Sequence, residues 1–360
     1  MANNRINVTK PHLPDRGRIY QYIDRALDSR WLTNDGPLVQ ELTVRLEDYL
    51  GVKHILLVAN GTMGLLVALK LLGSRKVFTT PFSFPATSSA PAWLGADIRY
   101  GDISPESFNL VPQVNVAAES VDCILPTHVF GNPCDLDGMD RLSGEWEAPI
   151  VYDAAHAFGV RVDGKSILEF GDISVLSFHA TKLFHCVEGG ALRFSSKDQL
   201  LAAREMINFG FDAHGGIRRV GINAKMNELE AAMGLAVLDE VDVIMDSYRQ
   251  SYELYDELLN PDLQRQKVSS DVEHNFSYFP VCFSDSSTLS RVVESLKADD
   301  IFARRYFEPS LDKVSFFGGS DDCKVSQDIA SRILCLPMFS ELTPETVQRV
   351  CKIVNQNLDS

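Results

Sequence analysis

Lys182 follows an apolar run. Ile173 to Phe178 reads as a strand, His179-Ala180-Thr181-Lys182 comes straight after it, and Glu188-Gly189-Gly190 begins six residues beyond the lysine. An amine held at a strand end, out of bulk water, has a depressed pKa, and its neutral form attacks an aldehyde. Most loop lysines are simply solvated, so the segment gains meaning only from its companions. One is Val151-Tyr152-Asp153-Ala154-Ala155-His156. A carboxylate after an apolar strand can pair with a protonated pyridine nitrogen and keep such a ring electron-withdrawing. The small Ala155 leaves room for a flat ring. The plainer alternative for Asp153 is a cap on the next helix.

Three further segments fit the same ligand. Asn60-Gly61-Thr62 lies between an apolar run and a helical stretch, where free N–H groups and the helix dipole favour a phosphate. An ordinary helix start looks the same. Phe84, between Pro81 and Pro85, could floor a ring by stacking, although such a residue is more often core. Gly221-Ile222-Asn223-Ala224-Lys225-Met226-Asn227 opens a helix just after the basic pair Arg218-Arg219; a solvated loop and cap is the bland alternative. Phosphate turn, aromatic, carboxylate and lysine follow one another in that order, and one ligand accounts for all four.

The elements that must position these groups alternate. A helix is predicted over 37–50, with Pro37 at its first position, leucines at 38, 42, 46 and 50, and Gly51 as its stop. Strands are predicted over 55–59, 76–80, 97–101, 121–126, 149–152 and 173–178, with helices from Gly61 to Leu72 and over 85–94. That alternation predicts an α/β domain with a mostly parallel sheet, whose ligands sit at the strands' carboxyl ends. A long helix is expected from Met226 past Tyr248. Beyond it a strand over 275–283 and helices over 286–298 and 343–357 suggest a second, smaller domain. The division is placed near 245, giving 1–245 and 246–360, with the first thirty residues an arm that packs elsewhere on the molecule.

The chain has 360 residues, enough for one large and one small domain. Its net charge of −15 argues against nucleic acid or an anionic membrane as partner. Seven cysteines without C-x-x-C spacing argue against a disulfide framework or a zinc site, and read as reduced thiols in the cytoplasm. Met1 to Pro14 shows no apolar signal-peptide core, and no apolar run approaches a membrane span.

These segments together resemble the DegT/DnrJ/EryC1/StrS sugar aminotransferases. The likeness covers nearly the whole chain from Val8-Thr9-Lys10-Pro11. The family's S-F-H-x-x-K with E-G-G matches Ser177 to Lys182 and Glu188 to Gly190, its D-A-A-H segment matches Asp153 to His156, and its G-x-N-x-R/K-M segment matches Gly221 to Met226. The resemblance implies an aspartate-aminotransferase-like fold (pyridoxal-phosphate fold type I) with a large domain and a smaller C-terminal α/β domain. It implies pyridoxal 5′-phosphate as cofactor, carried by Lys182 as a Schiff base. Asp153 would pair with the pyridine nitrogen, His156 lie near the phenolic oxygen, and Phe84 stack on the ring. Gly61, Thr62 and the Met63 amide would hold the phosphate with Ser177, and Asn223 would reach it from a second subunit of a homodimer.

The expected reaction moves the amino group of L-glutamate to C4 of a nucleotide-linked 4-keto-6-deoxysugar. The E-G-G form resembles members that aminate C4, and with Trp31-Leu32-Thr33-Asn34 the likeness is to enzymes that make dTDP-4-amino-4,6-dideoxyglucose. Arg218, Arg219 and Lys225 are expected at the diphosphate, and His185 and Glu188 near the sugar. Two departures touch the sugar side: Ala224-Lys225 stands where many relatives carry an aromatic and an arginine, and Leu183 to Cys186 differs from the usual stretch. The alternatives are amination at C3 and a regulatory protein that binds the cofactor without turnover. A nicotinamide dehydrogenase is discounted, because no G-x-G-x-x-G follows a strand. A surface polysaccharide such as O-antigen is the family-level destination of the sugar.

Overall fold

The computed structural model describes residues 5–112, 121–318 and 323–358. Four strands lie in the order Ile55–Val58, Gly190–Phe194, Ile173–Ser177, Val151–Asp153, and three more in the order Asp97–Tyr100, Lys76–Thr79, Cys123–Leu125. Parallel bridges between Ile124 and Ile150 and between Thr127 and Asp153 join the two groups into one sheet. Gly190–Phe194 alone runs antiparallel to its neighbours. The remaining strands bring Val58, Thr79, Leu125, Asp153 and Ser177 to the same edge. That is the carboxyl edge, where α/β sheets bind ligands.

Local sequence explains the elements on that edge. The helix Pro37–Leu50 starts at its proline and ends at Gly51, whose φ of 67° lets its N–H return to Asp48. It buries Leu38, Val39, Leu42, Leu46 and Leu50. Its N-terminus is closed by a distant group, the buried carboxylate of Glu228, which accepts from the N–H groups of Leu38 at 2.8 Å and Val39 at 2.9 Å. Asn60 caps the helix Gly61–Leu72 through Met63 N–H. A β-carbon on Gly61 would come within 3.1 Å of Ser177 Cβ, and one on Gly190 would fall 2.8 Å from the Gly61 nitrogen. Both positions must stay bare for the turn to sit against the sheet.

The long helix expected from Met226 past Tyr248 is two helices, Glu228–Leu238 and Val241–Leu258. The break at Asp239-Glu240 is held largely by the N-terminal segment: Asp239 accepts from Tyr22 and from Arg45 of the Pro37–Leu50 helix, and Glu240 from the Asp15 N–H and a ring nitrogen of His12. That segment carries a helix of its own, Arg16–Ser29. Its strand Ile6–Asn7 pairs in parallel with Ile301–Phe302.

After the Val241–Leu258 helix, a sheet of Gln264–Arg265, Phe279–Cys282 and Ile333–Leu336 is covered by helices Ser286–Ala298 and Pro344–Gln356. The expected division near 245 falls inside Val241–Leu258. One apolar cluster runs from Leu42 and Leu46 through Phe178 and Phe184 to Tyr255, Phe279 and Val347, so the two halves share a core. No helix among the described residues is long and apolar enough to cross a membrane.

Candidate active site

A cavity of about 500 Å³ opens at the carboxyl edge of the sheet. Nine of the residues singled out in the sequence line it: Gly61, Thr62, Met63, Phe84, Asp153, His156, Ser177, Lys182 and Glu188. Lys182 reaches it because its segment is a loop between neighbouring antiparallel strands. Ser177 and Gly190 face each other in register, and Phe178 N–H to Gly189 O (2.8 Å) and Ala180 N–H to Val187 O (2.7 Å) extend the pairing.

Lys182 Nζ donates to Tyr278 Oη at 3.1 Å. Burial drives its pKa down to about 8, while the nearby Tyr306 and Asp153 oppose the shift. Asp153 is displaced the other way. Burial raises its carboxyl pKa, against donors from Thr87 and Ala155 and the charge of Lys182. Thr87 Oγ1 donates to Asp153 Oδ2 at 2.7 Å and Ala155 N–H to Oδ1 at 3.2 Å. Ser83 bridges the buried hydroxyls of Thr87 (2.7 Å) and Thr127 (3.1 Å). A buried carboxylate with only neutral donors is short of a cation.

His156 Nδ1 accepts the Phe130 N–H at 3.2 Å, which leaves the ring proton on Nε2. Burial and then the Lys182 charge push its pKa well down, so the ring is neutral. It stacks with Phe307 at 5.9 Å and lies 4.6 Å from the Tyr278 ring. Phe84 is 50% exposed, an unusual state for a phenylalanine lining a cavity. The Met63 N–H is taken by Asn60 Oδ1 at 2.9 Å. Gly61 and Thr62 supply the other amides of that turn.

The remaining expected residues stand elsewhere. His185 corrects the sequence reading: it is buried, its Nε2 donates to the His12 carbonyl at 2.8 Å, and its Nδ1 accepts from Val187 N–H at 3.3 Å. Both nitrogens are spent on backbone, away from the cavity. Arg218 and Arg219 are bound to Asp212 at 2.7 Å and Glu205 at 2.5 Å of their own chain. Lys225 donates to Asn208 at 2.8 Å, beside a second cavity, and Asn223 is exposed. None of these four lines the Lys182 cavity. Glu188 does, facing His179 at 3.6 Å.

Sequence reasoning missed Thr87, Tyr278, Arg304, Tyr306 and Phe307, all of which line the cavity or hold Asp153. Thr87 closes the Pro81 to Thr87 stretch, in which only Phe84 was given a role, and could have been found. The other four come from the C-terminal part, where no local motif marks them.

An electron-sink ring with a phosphate tail fits this donor set: an amine of lowered pKa, a buried carboxylate awaiting a cation, an exposed phenyl face, and the Gly61 and Thr62 amides of a helix N-terminus beside a serine. A pyridoxal-phosphate-dependent aminotransferase is the class of enzyme that this fold and site define. The chain belongs to the DegT/DnrJ/EryC1/StrS aminotransferase family, whose model matches residues 15–355. It is 36% identical, over 98% of both chains, to a Shigella dysenteriae protein named dTDP-4-amino-4,6-dideoxy-D-glucose transaminase. An Escherichia coli protein of the same name is 32% identical over 98% of this chain and 99% of its own. Among solved structures, DesI, determined in the presence of its TDP-sugar product, superposes with a TM-score of 0.92 at 34% identity, covering 98% of this chain and 92% of DesI.

Among the described residues no group of three or more His, Cys, Asp or Glu could hold a metal ion. All seven cysteines are buried thiols.

Proposed function

We propose that this enzyme transfers the amino group of L-glutamate to C4 of dTDP-4-keto-6-deoxy-D-glucose, giving dTDP-4-amino-4,6-dideoxy-D-glucose. The observation that carries the sugar is the full-length likeness to two transaminases named for that product. When bound, pyridoxal phosphate supplies the aldehyde that exchanges amino groups and a ring that withdraws electrons.

The protein's residues do the rest. The turn at Gly61-Thr62, with Ser177, binds the phosphate. Phe84 covers the ring, and Asp153 holds a proton on its nitrogen. Thr87 keeps Asp153 in place. Lys182 would anchor the cofactor through its amine and would take the proton from the donor Cα. Attack on the aldehyde and removal of the Cα proton both need a neutral amine, and a pKa near 8 makes it available. Neutral His156 offers Nε2–H to the phenolic oxygen.

We read residues 1–245 as the cofactor-binding part and 246–360 as the smaller part that brings Tyr278 to Lys182. A homodimer is part of the proposal. Ile217 and Val220 are 71% and 76% exposed, in the segment that carries Arg218, Arg219 and Asn223. A second copy covering this segment would turn those polar groups toward the neighbouring active site, Asn223 to the phosphate and the arginines, with Lys225, to the diphosphate. Glu188 at the cavity would meet the sugar.

The test is reduction of the cofactor-loaded enzyme with borohydride, followed by peptide mapping and NMR of the sugar product. A pyridoxyl group on Lys182 and an amine at C4 are expected. An adduct on another lysine would undo the mechanism; an amine at C3 would undo the product assignment.

A further inference from the structure

The geometry points to Arg304 as the cation that binds an oxyanion of the substrate inside the Lys182 cavity, either the donor's carboxylate or the acceptor's diphosphate. This rests on the aminotransferase reading and adds a binding residue to it.

Arg304 lines the cavity together with Lys182, Tyr278 and Tyr306. Its backbone is fixed, with Arg304 N–H to Cys335 O at 3.2 Å and Cys335 N–H to Arg304 O at 2.8 Å. The guanidinium lies over the Tyr306 ring, 4.8 Å from its centroid. No carboxylate among the described residues lies within ion-pair distance of it. The neighbouring Arg305 is used differently: it pairs with Glu308 at 3.3 Å and donates to the Ala330 and Ser331 carbonyls. Arg218 and Arg219 are likewise each matched by a carboxylate.

Among the described residues lining the cavity, the other basic groups are committed. Lys182 is the anchor, His156 is neutral, and His179 faces Glu188. Arg304 is the lining arginine, and a guanidinium's planar fork suits carboxylate and phosphate oxygens. Tyr306 holds that fork by its ring face, which leaves the N–H edges for a ligand. The two half-reactions share one cavity in turn, so one guanidinium can serve an anion of either substrate.

The experiment uses cofactor-loaded enzyme, with Arg304→Gln and Arg304→Lys beside wild type. KM is measured for L-glutamate at saturating keto-sugar and for dTDP-4-keto-6-deoxy-D-glucose at saturating glutamate. Affinity for dTDP is measured separately by calorimetry. Arg304→Gln is expected to raise at least one KM about 10- to 100-fold, the size of a lost charge-assisted hydrogen bond, with the cofactor absorbance kept. Arg304→Lys should recover part of the loss.

A rise for glutamate alone assigns the site to the carboxylate. A rise for the sugar nucleotide, with weaker dTDP binding, assigns it to the diphosphate. Unchanged KM values and dTDP affinity in Arg304→Gln overturn the inference. Wild-type enzyme without turnover on this substrate pair would instead count against the proposed function.

Discussion

The side-chain nitrogen of Lys182 lies 3.1 Å from the hydroxyl of Tyr278, a residue 96 positions further along the chain. The anchor comes from the sheet's carboxyl edge and the hydroxyl from the C-terminal part, so the reactive amine is aimed by an element outside its own loop. Tyr278 is buried and its hydroxyl pKa is raised by that burial, so it stays protonated. Tyr278→Phe should still form the Lys182 adduct. It should slow the half-reaction with L-glutamate about 10- to 100-fold, less than the upper range for losing a general base outright. Single-turnover absorbance of the cofactor measures this; an unchanged rate would show that the loop aims the lysine alone.

Capture of pyridoxal phosphate by the apoenzyme should depend on pH through Lys182. The folded pKa is about 8 against 10.5 for a free lysine. Only the neutral amine attacks, so the rate should rise with pH and level off above about 8. An inflection near 10 would mean that the amine is as hydrated as a surface lysine.

Thr87→Val keeps the shape of the side chain and removes the hydroxyl that donates to Asp153. Leaving that buried acceptor short should destabilise the protein by about 1–3 kcal/mol. It should also lower kcat, because the carboxylate loses the donor that opposes its raised pKa. Asp153→Asn should lower the rate far more. A Thr87→Val enzyme with wild-type kcat and melting temperature would remove Thr87 from the site.

Glu228→Gln exchanges a charged cap for a neutral one at the start of the Pro37–Leu50 helix. The carboxylate faces two backbone N–H groups and the positive end of the helix dipole. Its loss should lower stability by about 1–2 kcal/mol. Thermal melting of the apoenzyme reads the change, and an unaltered midpoint would show that hydrogen bonding alone sustains the cap.

In Arg218→Ala/Arg219→Ala both side chains leave exposed ion pairs, so the fold should change little. Affinity for dTDP should fall if a second copy brings them to its cavity. Unchanged affinity would remove them from the diphosphate site.

Where the sequence is punctuated, the fold was legible to the residue. Pro37 and Gly51 bracket one helix, Asn60 and Gly73 another, and Asp285 caps the helix Ser286–Ala298. The sheet side of the cavity was legible too, because Gly61, Asp153, Ser177 and Lys182 each end or follow an apolar strand. Two readings failed for want of tertiary information. His185 stands close to Lys182 in sequence, but its ring is drawn inward to the His12 carbonyl. The expected long helix is broken where Asp239 and Glu240 take donors from the N-terminal segment. The cavity's C-terminal wall was invisible, because Tyr278, Arg304 and Tyr306 are scattered single residues that only long-range packing collects.

The N-terminal strap sets the order in which the molecule can be completed. Ile6 pairs with Ile301, the Val8 carbonyl accepts from Met338, and the His12 carbonyl accepts from His185, which belongs to the lysine-bearing loop. Residues 6 to 8 therefore cannot take their places until Ile301 and Met338 have been made. Closing so long a loop is entropically costly and slow. A nascent chain can assemble the parallel sheet early, yet the strap that touches its lysine-bearing loop is docked along its whole length only after Met338 has been made.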